Sequence, residues 1–322
     1  MNDSKDLGEI HTPVLLDRVV ELVSPTLEAQ GSIYVDCTLG MGGHAAAVLR
    51  ACPNARLIGF DRDAEAIAIA SKRLAAFGDR VQTVHAVYDE FADRLDDLDV
   101  DEVDAVFFDL GVSSLQLDEA ERGFSYMQDA PLDMRMNRSE GITAAELIAE
   151  LSETELRDLF YRYGDEKLAP RYARAIVAAR GVSSIDTTGQ LVDILQDATP
   201  AAKRNAGHPA KRVFQALRIR VNGELDALES ALPQALARTR VGGRVVVESY
   251  QSLEDRFVKR TFSEVTESRA PRDLPFIPDN LQPEFRLLTR GAEQAPAEEA
   301  DLNPRAKPVR LRAVEKIRSH AA

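Results

Sequence analysis

The stretch Asp36-Cys37-Thr38-Leu39-Gly40-Met41-Gly42-Gly43-His44 decides how this chain folds. Ahead of it, residues 33–37 form a short run of β-branched and aromatic character; behind it, residues 43–51 follow a helical pattern. A strand that runs through a glycine-rich turn into a helix leaves free backbone N–H groups at the helix start and lets a ligand approach the chain closely. The turn alone does not name that ligand, because Gly40, Gly42 and Ala45 also satisfy the dinucleotide fingerprint with alanine in the last place.

Outward from the loop the rhythm repeats. Residues 56–60, 81–85 and 103–109 are further short apolar runs, and residues 63–77 carry Ile67, Ala70 and Leu74 at helical spacing. Val103-Asp104-Ala105-Val106-Phe107-Phe108-Asp109 is nearly continuous in apolar character, as a strand covered on both faces should be. Alternating strand and helix predicts an open α/β fold with a parallel sheet and right-handed crossovers.

Beyond Asp109 the rhythm breaks. Residues 111–141 are punctuated by Gly, Ser, Asp and Pro, and helical patterns follow at 143–151, 153–161, 170–180 and 188–197 with no strand between them. The expected organisation is a sheet domain of residues 1–114 and 212–322, interrupted by a mainly helical insertion of residues 115–211. A long helix should start at Arg212, striped by Phe214, Leu217, Val221, Leu225, Leu228, Leu232 and Leu236 and kinked near Pro233. Gly242-Gly243 should turn the chain into a strand over 244–249, a helix should follow from Ser252, and 285–289 and 309–314 should close the sheet. Residues 269–283 read as a Pro-rich loop and 291–303 as an acidic, mobile one.

Three aspartates stand at predicted strand ends, and they sharpen the reading of the loop. Asp61, closing the second strand, is placed to accept both hydroxyls of a ribose, a contact open to NAD and to S-adenosylmethionine (SAM) alike. Asp36, at the lip of the glycine turn, would repel a pyrophosphate but attract the ammonium of a methionyl group. Asp109 ends the fourth strand at the carboxyl edge, where ligands of open α/β folds bind. An NAD-linked oxidoreductase is the rival reading, and Asp36 argues against it.

Composition bounds the rest. The chain has 322 residues, 44% hydrophobic and 29% charged, with a net charge of −13 that opposes non-specific binding to nucleic acid. The charge is uneven: residues 198–223 contain no acid but include Lys203, Arg204, Lys211, Arg212, Arg218 and Arg220, and a second basic stretch runs over 305–318. These are candidate polyanion-binding patches. No apolar run reaches the roughly 18 residues that span a bilayer, and residues 1–9 are polar and acidic, so a cytoplasmic location is expected. Two cysteines, Cys37 and Cys52, are too few for a disulfide framework or a cysteine-rich zinc site.

For a SAM enzyme acting on a nucleobase, ring-carbon methylation needs a thiolate to add first. Neither Cys37 nor Cys52 sits near Asp109. An exocyclic amine needs only acceptors for its hydrogens and an extruded base. Asp109-Leu110-Gly111-Val112-Ser113-Ser114 offers a carboxylate, carbonyls and two hydroxyls, so Asp109, Ser113 and Ser114 are the candidate catalytic residues.

At these residues the chain resembles the ribosomal-RNA small-subunit methyltransferase H family. The resemblance is carried by His11-Thr12-Pro13-Val14-Leu15-Leu16, the glycine loop through His44, Asp61-Arg62-Asp63, Asp109-Leu110-Gly111-Val112-Ser113-Ser114-Leu115-Gln116 and Glu121-Arg122-Gly123-Phe124-Ser125. It continues through Pro131-Leu132-Asp133-Met134-Arg135-Met136, His208-Pro209-Ala210, Phe214-Gln215-Ala216-Leu217-Arg218-Ile219, Ser252-Leu253-Glu254-Asp255-Arg256 and Asn303-Pro304-Arg305. It implies a Rossmann-like SAM-dependent methyltransferase sheet with an inserted helical domain for substrate recognition. The implied reaction is methylation of N4 of a cytidine in the decoding region of 16S rRNA within the small ribosomal subunit, by a monomer or homodimer. SAM contacts are implied at Gly42, Gly43, His44, Asp61, Tyr88, Asp109 and Gln116, joining Asp36 and Gly40 from the loop reading. Arg135, Lys211, Arg212, Arg218 and Arg305 are the candidate RNA contacts. The family's usual histidine before Ser-Leu-Glu-Asp-Arg is Gln251 here, Asn137 replaces a common aspartate, and Pro308 interrupts the tail. A non-catalytic assembly factor that keeps a SAM fold is the remaining alternative.

Overall fold

The structure, a computed structural model, describes residues 13–203, 207–268, 270, 278 and 281–319, with the side chain of Ser114 excepted. His11, Thr12, Arg204 and most of the expected Pro-rich loop at 269–283 lie outside the described residues. The chain divides into two compact units: Met1–Gly111 with Asp226–Ala322, and Val112–Leu225.

The first unit is built on a seven-stranded sheet. Its strands are β1 (Ile33–Asp36), β2 (Arg56–Asp61), β3 (Val81–His85), β4 (Val103–Asp109), β5 (Thr239–Ser249), β6 (Phe285–Leu287) and β7 (Arg310–Lys316), in the order β3-β2-β1-β4-β5-β7-β6. The first five are parallel; β7 runs antiparallel between β5 and β6. Helices α1 (Leu16–Val23), α2 (Gly43–Ala51), α3 (Ala64–Leu74) and α4 (Phe91–Asp96) precede or link the early strands. Two apolar cores cover the sheet: Tyr34, Ala105 and Phe107 face one of them, and Val35, Val106 and Phe108 face the other. Alternation along one strand into two cores is what a near-continuous apolar run requires.

The second unit is helical: α5 (Ser114–Asp118), α6 (Ala144–Glu150), α7 (Glu153–Gly164), α8 (Ala169–Arg180), α9 (Thr188–Ala198) and α10 (Ala210–Asn222). Its core gathers Leu156, Phe160, Tyr172, Leu191, Leu195, Val213 and Leu217. Capping boxes start four of its helices, at Ser113/Gln116, Thr143/Glu146, Ser152/Glu155 and Thr187/Gln190. Each pairs two otherwise orphaned backbone donors at a helix start.

Several expectations change. The long helix from Arg212 is two helices, α10 and α11 (Glu224–Arg238), broken at Gly223, which adopts a left-handed conformation (φ +59°). The break falls at the glycine, and Pro233 is carried inside α11. α10 packs on α7, where a Cβ on Gly164 would stand 2.7 Å from the Arg212 carbonyl oxygen. α10 therefore belongs to the helical unit, and the return to the sheet unit comes after Leu225 rather than at 212. Gly242-Gly243 does not precede β5 but lies within it, beside a register irregularity against β4. The acidic segment 291–303 is ordered: Glu293 pairs with Arg18 at 2.8 Å and bridges to Leu311, and α13 (Ala297–Leu302) follows α12 (Ser252–Thr266) in the helix order.

Candidate active site

In an open α/β sheet, ligands bind outside the carboxyl ends of the strands where the order reverses. Here that point lies between β1 and β4. Four adjacent strands present an acid at this edge: Asp61 on β2, Asp36 on β1, Asp109 on β4 and Glu248 near the end of β5, the last two being register partners. The glycine turn leaves β1 in the middle of this row. Gly40 and Gly42 take positive φ, +51° and +75°, which a side chain would strain. Gly42 is the N-cap of α2 and offers no side chain to that helix start, so the first-turn N–H groups remain available. A Cβ on Gly43 would stand 2.6 Å from Pro13 Cγ.

The acids hold the turn as well as lining it. Asp61 Oδ2 accepts from the Gly40 amide at 2.7 Å and its Oδ1 from the Asp63 amide at 2.8 Å. Thr38 Oγ1 accepts from the Asp109 amide at 2.6 Å, tying the turn to the end of β4. Burial pushes the Asp36 carboxyl up to about 8; the Thr38 amide, donating at 3.1 Å, works against that, and the charge of Asp109 adds to it. Enclosure lifts Asp61 to about 6 against the pull of the Asp63 and Gly40 amides. Burial raises Asp109 too, with His44 opposing, and drives Glu248 well above the carboxylate range, with Asp109 adding to the effect.

His44 is buried, edge-on to Phe107 at 4.7 Å between ring centres. Its Nε2 bonds to the Val14 carbonyl at 2.9 Å, which assigns the neutral ring's proton to Nε2 and leaves Nδ1 as an acceptor. Nδ1 faces Asp109 Oδ2 at 3.7 Å, beyond hydrogen-bond reach. Burial lowers the His44 pKa while Asp109 raises it. Tyr88, half-buried, packs edge-on to Phe108 at 5.7 Å. A crowd of carboxylates held above their ordinary range is a poor seat for a pyrophosphate and a good one for a cation. The sulfonium and ammonium of SAM fit this donor set.

Several of the expected site residues also hold local structure. Ser113 spends its hydroxyl accepting from the Gln116 amide at 3.3 Å, and Gln116 Oε1 accepts from the Ser113 amide at 3.0 Å. These groups start α5, so Ser113 holds that helix start; Ser114 follows as the first residue of that helix. Arg218 is mostly buried and bound through two nitrogens to Glu224, at 2.8 and 2.9 Å, an ion pair at the end of α10. Arg135 grips Asp133 the same way, at 2.8 and 3.0 Å, and fixes its own loop. Lys211 and Arg212 are exposed at the start of α10, where Arg212 donates to the Asp165 carbonyl at 3.0 Å. Arg305, half-buried, follows Asn303, whose Oδ1 accepts its amide at 3.1 Å. Gln251 is the N-cap of α12, whose Glu254 accepts from the Tyr250 and Gln251 amides at 3.0 and 3.1 Å.

Two residues escaped the sequence reading. Thr38 carried no signal beyond its place in the loop. Glu248 did carry one, as an acid closing the Val245-Val246-Val247 run in the way Asp36, Asp61 and Asp109 close theirs.

Comparison with known proteins agrees with this geometry. The chain is 60% identical over 316 residues to the ribosomal RNA small subunit methyltransferase H of Clavibacter michiganensis subsp. michiganensis, covering 98% of this chain and 99% of that one. It is 58% identical over 312 residues to the protein of the same name from Leifsonia xyli subsp. xyli, covering 97% and 96%. The Nocardioides protein of that name is 54% identical over 316 residues, covering 98% and 99%. The sequence profile of the MraW methylase family matches residues 8–317. With a row of acids around a glycine turn at the switch point, and this match over nearly its whole length, the chain belongs to the MraW methylase family of SAM-dependent methyltransferases.

Proposed function

We propose that this protein transfers the methyl group of SAM to N4 of a cytidine in the decoding region of 16S rRNA, acting on the assembled small ribosomal subunit in the cytoplasm. The observation that carries the reading is the row of strand-end acids around the glycine turn, taken with what its relatives are named for. SAM supplies an electrophilic methyl on a cationic sulfur. Asp61 accepts the ribose hydroxyls with the lone pairs its amide bonds leave open, Tyr88 packs on the adenine, and Asp36 in its ionised form takes the methionyl ammonium. Asp109, about a third of its side chain exposed, accepts an amine hydrogen of the base and so aims the nitrogen lone pair at the methyl.

The cysteines favour amine over ring-carbon chemistry. Cys37 and Cys52 are both buried, and burial pushes the Cys37 thiol well above its ordinary pKa, which disfavours the thiolate that ring-carbon attack needs. Lys211, Arg212 and Arg305 are the cations that would meet RNA phosphates, and the helical unit is the part that recognises substrate. No helix among the described residues is long and apolar enough to cross a membrane.

The test uses purified protein, methyl-labelled SAM, and either naked 16S rRNA or assembled small subunits. Label in N4-methylcytidine, stronger with assembled subunits, is expected, because an acidic protein needs a shaped surface rather than charge alone. No label in cytidine from either substrate defeats the reading.

A further inference from the structure

One buried group at the acid edge remains unsatisfied. Glu248 is fully buried; its Oε2 accepts from the Tyr250 hydroxyl at 3.3 Å, but its Oε1 has no hydrogen-bond partner among the described residues. Protonation does not repair this. A proton on Oε1 would have no acceptor there, and a proton on Oε2 would leave Oε1 a bare carbonyl. Buried polar atoms are normally paired, and an ionised one strongly so.

Two more donors stand beside it. His44 turns the lone pair of Nδ1 towards Asp109 without reaching it, and one ligand atom each from His44, Asp109 and Glu248 lies within 4.8 Å of the other two. Donors bound at ~2.1 Å to one ion stand about 3–4 Å apart, so a small side-chain rotation brings the three into range. His44 already has the support that metal-binding imidazoles use: its other ring nitrogen donates to a backbone carbonyl, which fixes the tautomer and the ring's direction. The Tyr250 hydroxyl does the same for Glu248.

We propose that His44, Asp109 and Glu248 form a binding site for one divalent transition-metal ion, held by one imidazole nitrogen and two carboxylates. Two carboxylates cancel the ion's charge, and the nitrogen–oxygen donor set suits Mn²⁺ or Zn²⁺ rather than a thiolate-seeking metal. The ion binds Asp109 on the His44 side, keeps its carboxylate ionised, and leaves its other oxygen for the substrate. Asp36 takes no part and remains for the cofactor, while His44 and Asp109, both implied SAM contacts, stand between the ion and the cofactor. The site rests on the sheet unit alone and does not depend on what is methylated.

The experiment titrates Mn²⁺ into the purified full-length chain, without and then with saturating SAM, and follows it by electron paramagnetic resonance. The expected result is one saturable Mn²⁺ per chain, retained with SAM, with pulsed spectra showing coupling to a single imidazole nitrogen. Glu248→Gln, nearly isosteric, should weaken Mn²⁺ binding at least tenfold while the circular dichroism spectrum stays unchanged. The nitrogen coupling in the unaltered protein needs no variant, so misfolding of Glu248→Gln leaves the test intact. Absence of saturable binding, binding without nitrogen coupling, or equal binding by a folded Glu248→Gln would overturn the site. So would release of Mn²⁺ by SAM, since the cofactor's own ammonium would then be the cation this cluster holds.

Discussion

The helical unit and the carboxyl edge of the sheet unit bury polar side chains in opposite ways. In the helical unit they are matched: Arg122 with Glu119 at 2.7 Å, Arg218 with Glu224, and the Tyr172 hydroxyl with Thr199 at 2.8 Å. Asn222 joins α10 to the 134–136 segment through the Met134 carbonyl and the Met136 amide, both at 2.8 Å. Along that edge, carboxylates of like charge face one another: burial raises the pKa values of Asp36 and Asp61, and the charges of Asp109 and Asp61 raise Asp36 further. Opposite charges paired in a core serve the fold. Like charges collected at a sheet's carboxyl edge cost stability, and they are retained where a ligand will neutralise them.

That contrast can be broken. The largest effect should come from Phe160→Ala, which empties a fully buried site in the helical core and should cost about 3–5 kcal/mol in chemical denaturation. SAM affinity by calorimetry should stay within about twofold, because the acid edge belongs to the other unit and Gln116 alone of the implied contacts lies in this one; a parallel loss of SAM binding would end the division of labour. Asp36→Asn should do the reverse. SAM affinity should fall about 10–100-fold, as for loss of a hydrogen bond to a charged group worth ~1.5–3 kcal/mol, while the denaturation midpoint of the free protein does not drop.

The pH dependence sharpens the same point. Asp36, facing Asp109, Asp61 and Tyr34, holds its proton to about pH 8 in the free protein and must lose it to receive an ammonium. SAM affinity should therefore climb with pH, by up to about tenfold per unit, and level off above 8, with proton release visible in buffers of different ionisation enthalpy. The free fold moves the other way. Because the folded pKa lies above the ordinary 3.8, the folded state binds the extra proton, and its stability from this group declines as pH rises from about 4 to 8. An affinity that is flat from pH 6 to 8 would remove Asp36 from the ammonium site. The smallest effect belongs to Thr143→Ala, which deletes one capping box and should cost the helical unit about 1 kcal/mol with no change in SAM affinity.

Much of the fold is legible because its signals are local. The glycine turn, the apolar run over 103–109 and the Ser/Thr–Glu/Gln pairs at the helix starts each need only a few neighbouring residues to specify a conformation. The boundary at Leu225 was not legible, since the stripe from Phe214 to Leu236 continues unbroken through Gly223. Only the packing of α10 on α7 shows that the stripe's two halves serve different cores. The same holds for Arg218, which reads as part of a basic patch until Glu224 is found across the helix end.

By itself the sequence determined the α/β class, the cofactor turn, the three aspartates and the family, because strand periodicity, glycine placement and long ordered motifs survive as linear patterns. Tertiary structure alone decided which carboxylates share an edge, that Glu248 stands beside Asp109 and His44, and that Ser113 caps a helix. Burial, mutual charge and an unpaired oxygen are properties of distances between residues far apart in the chain, and no spacing along the sequence records them.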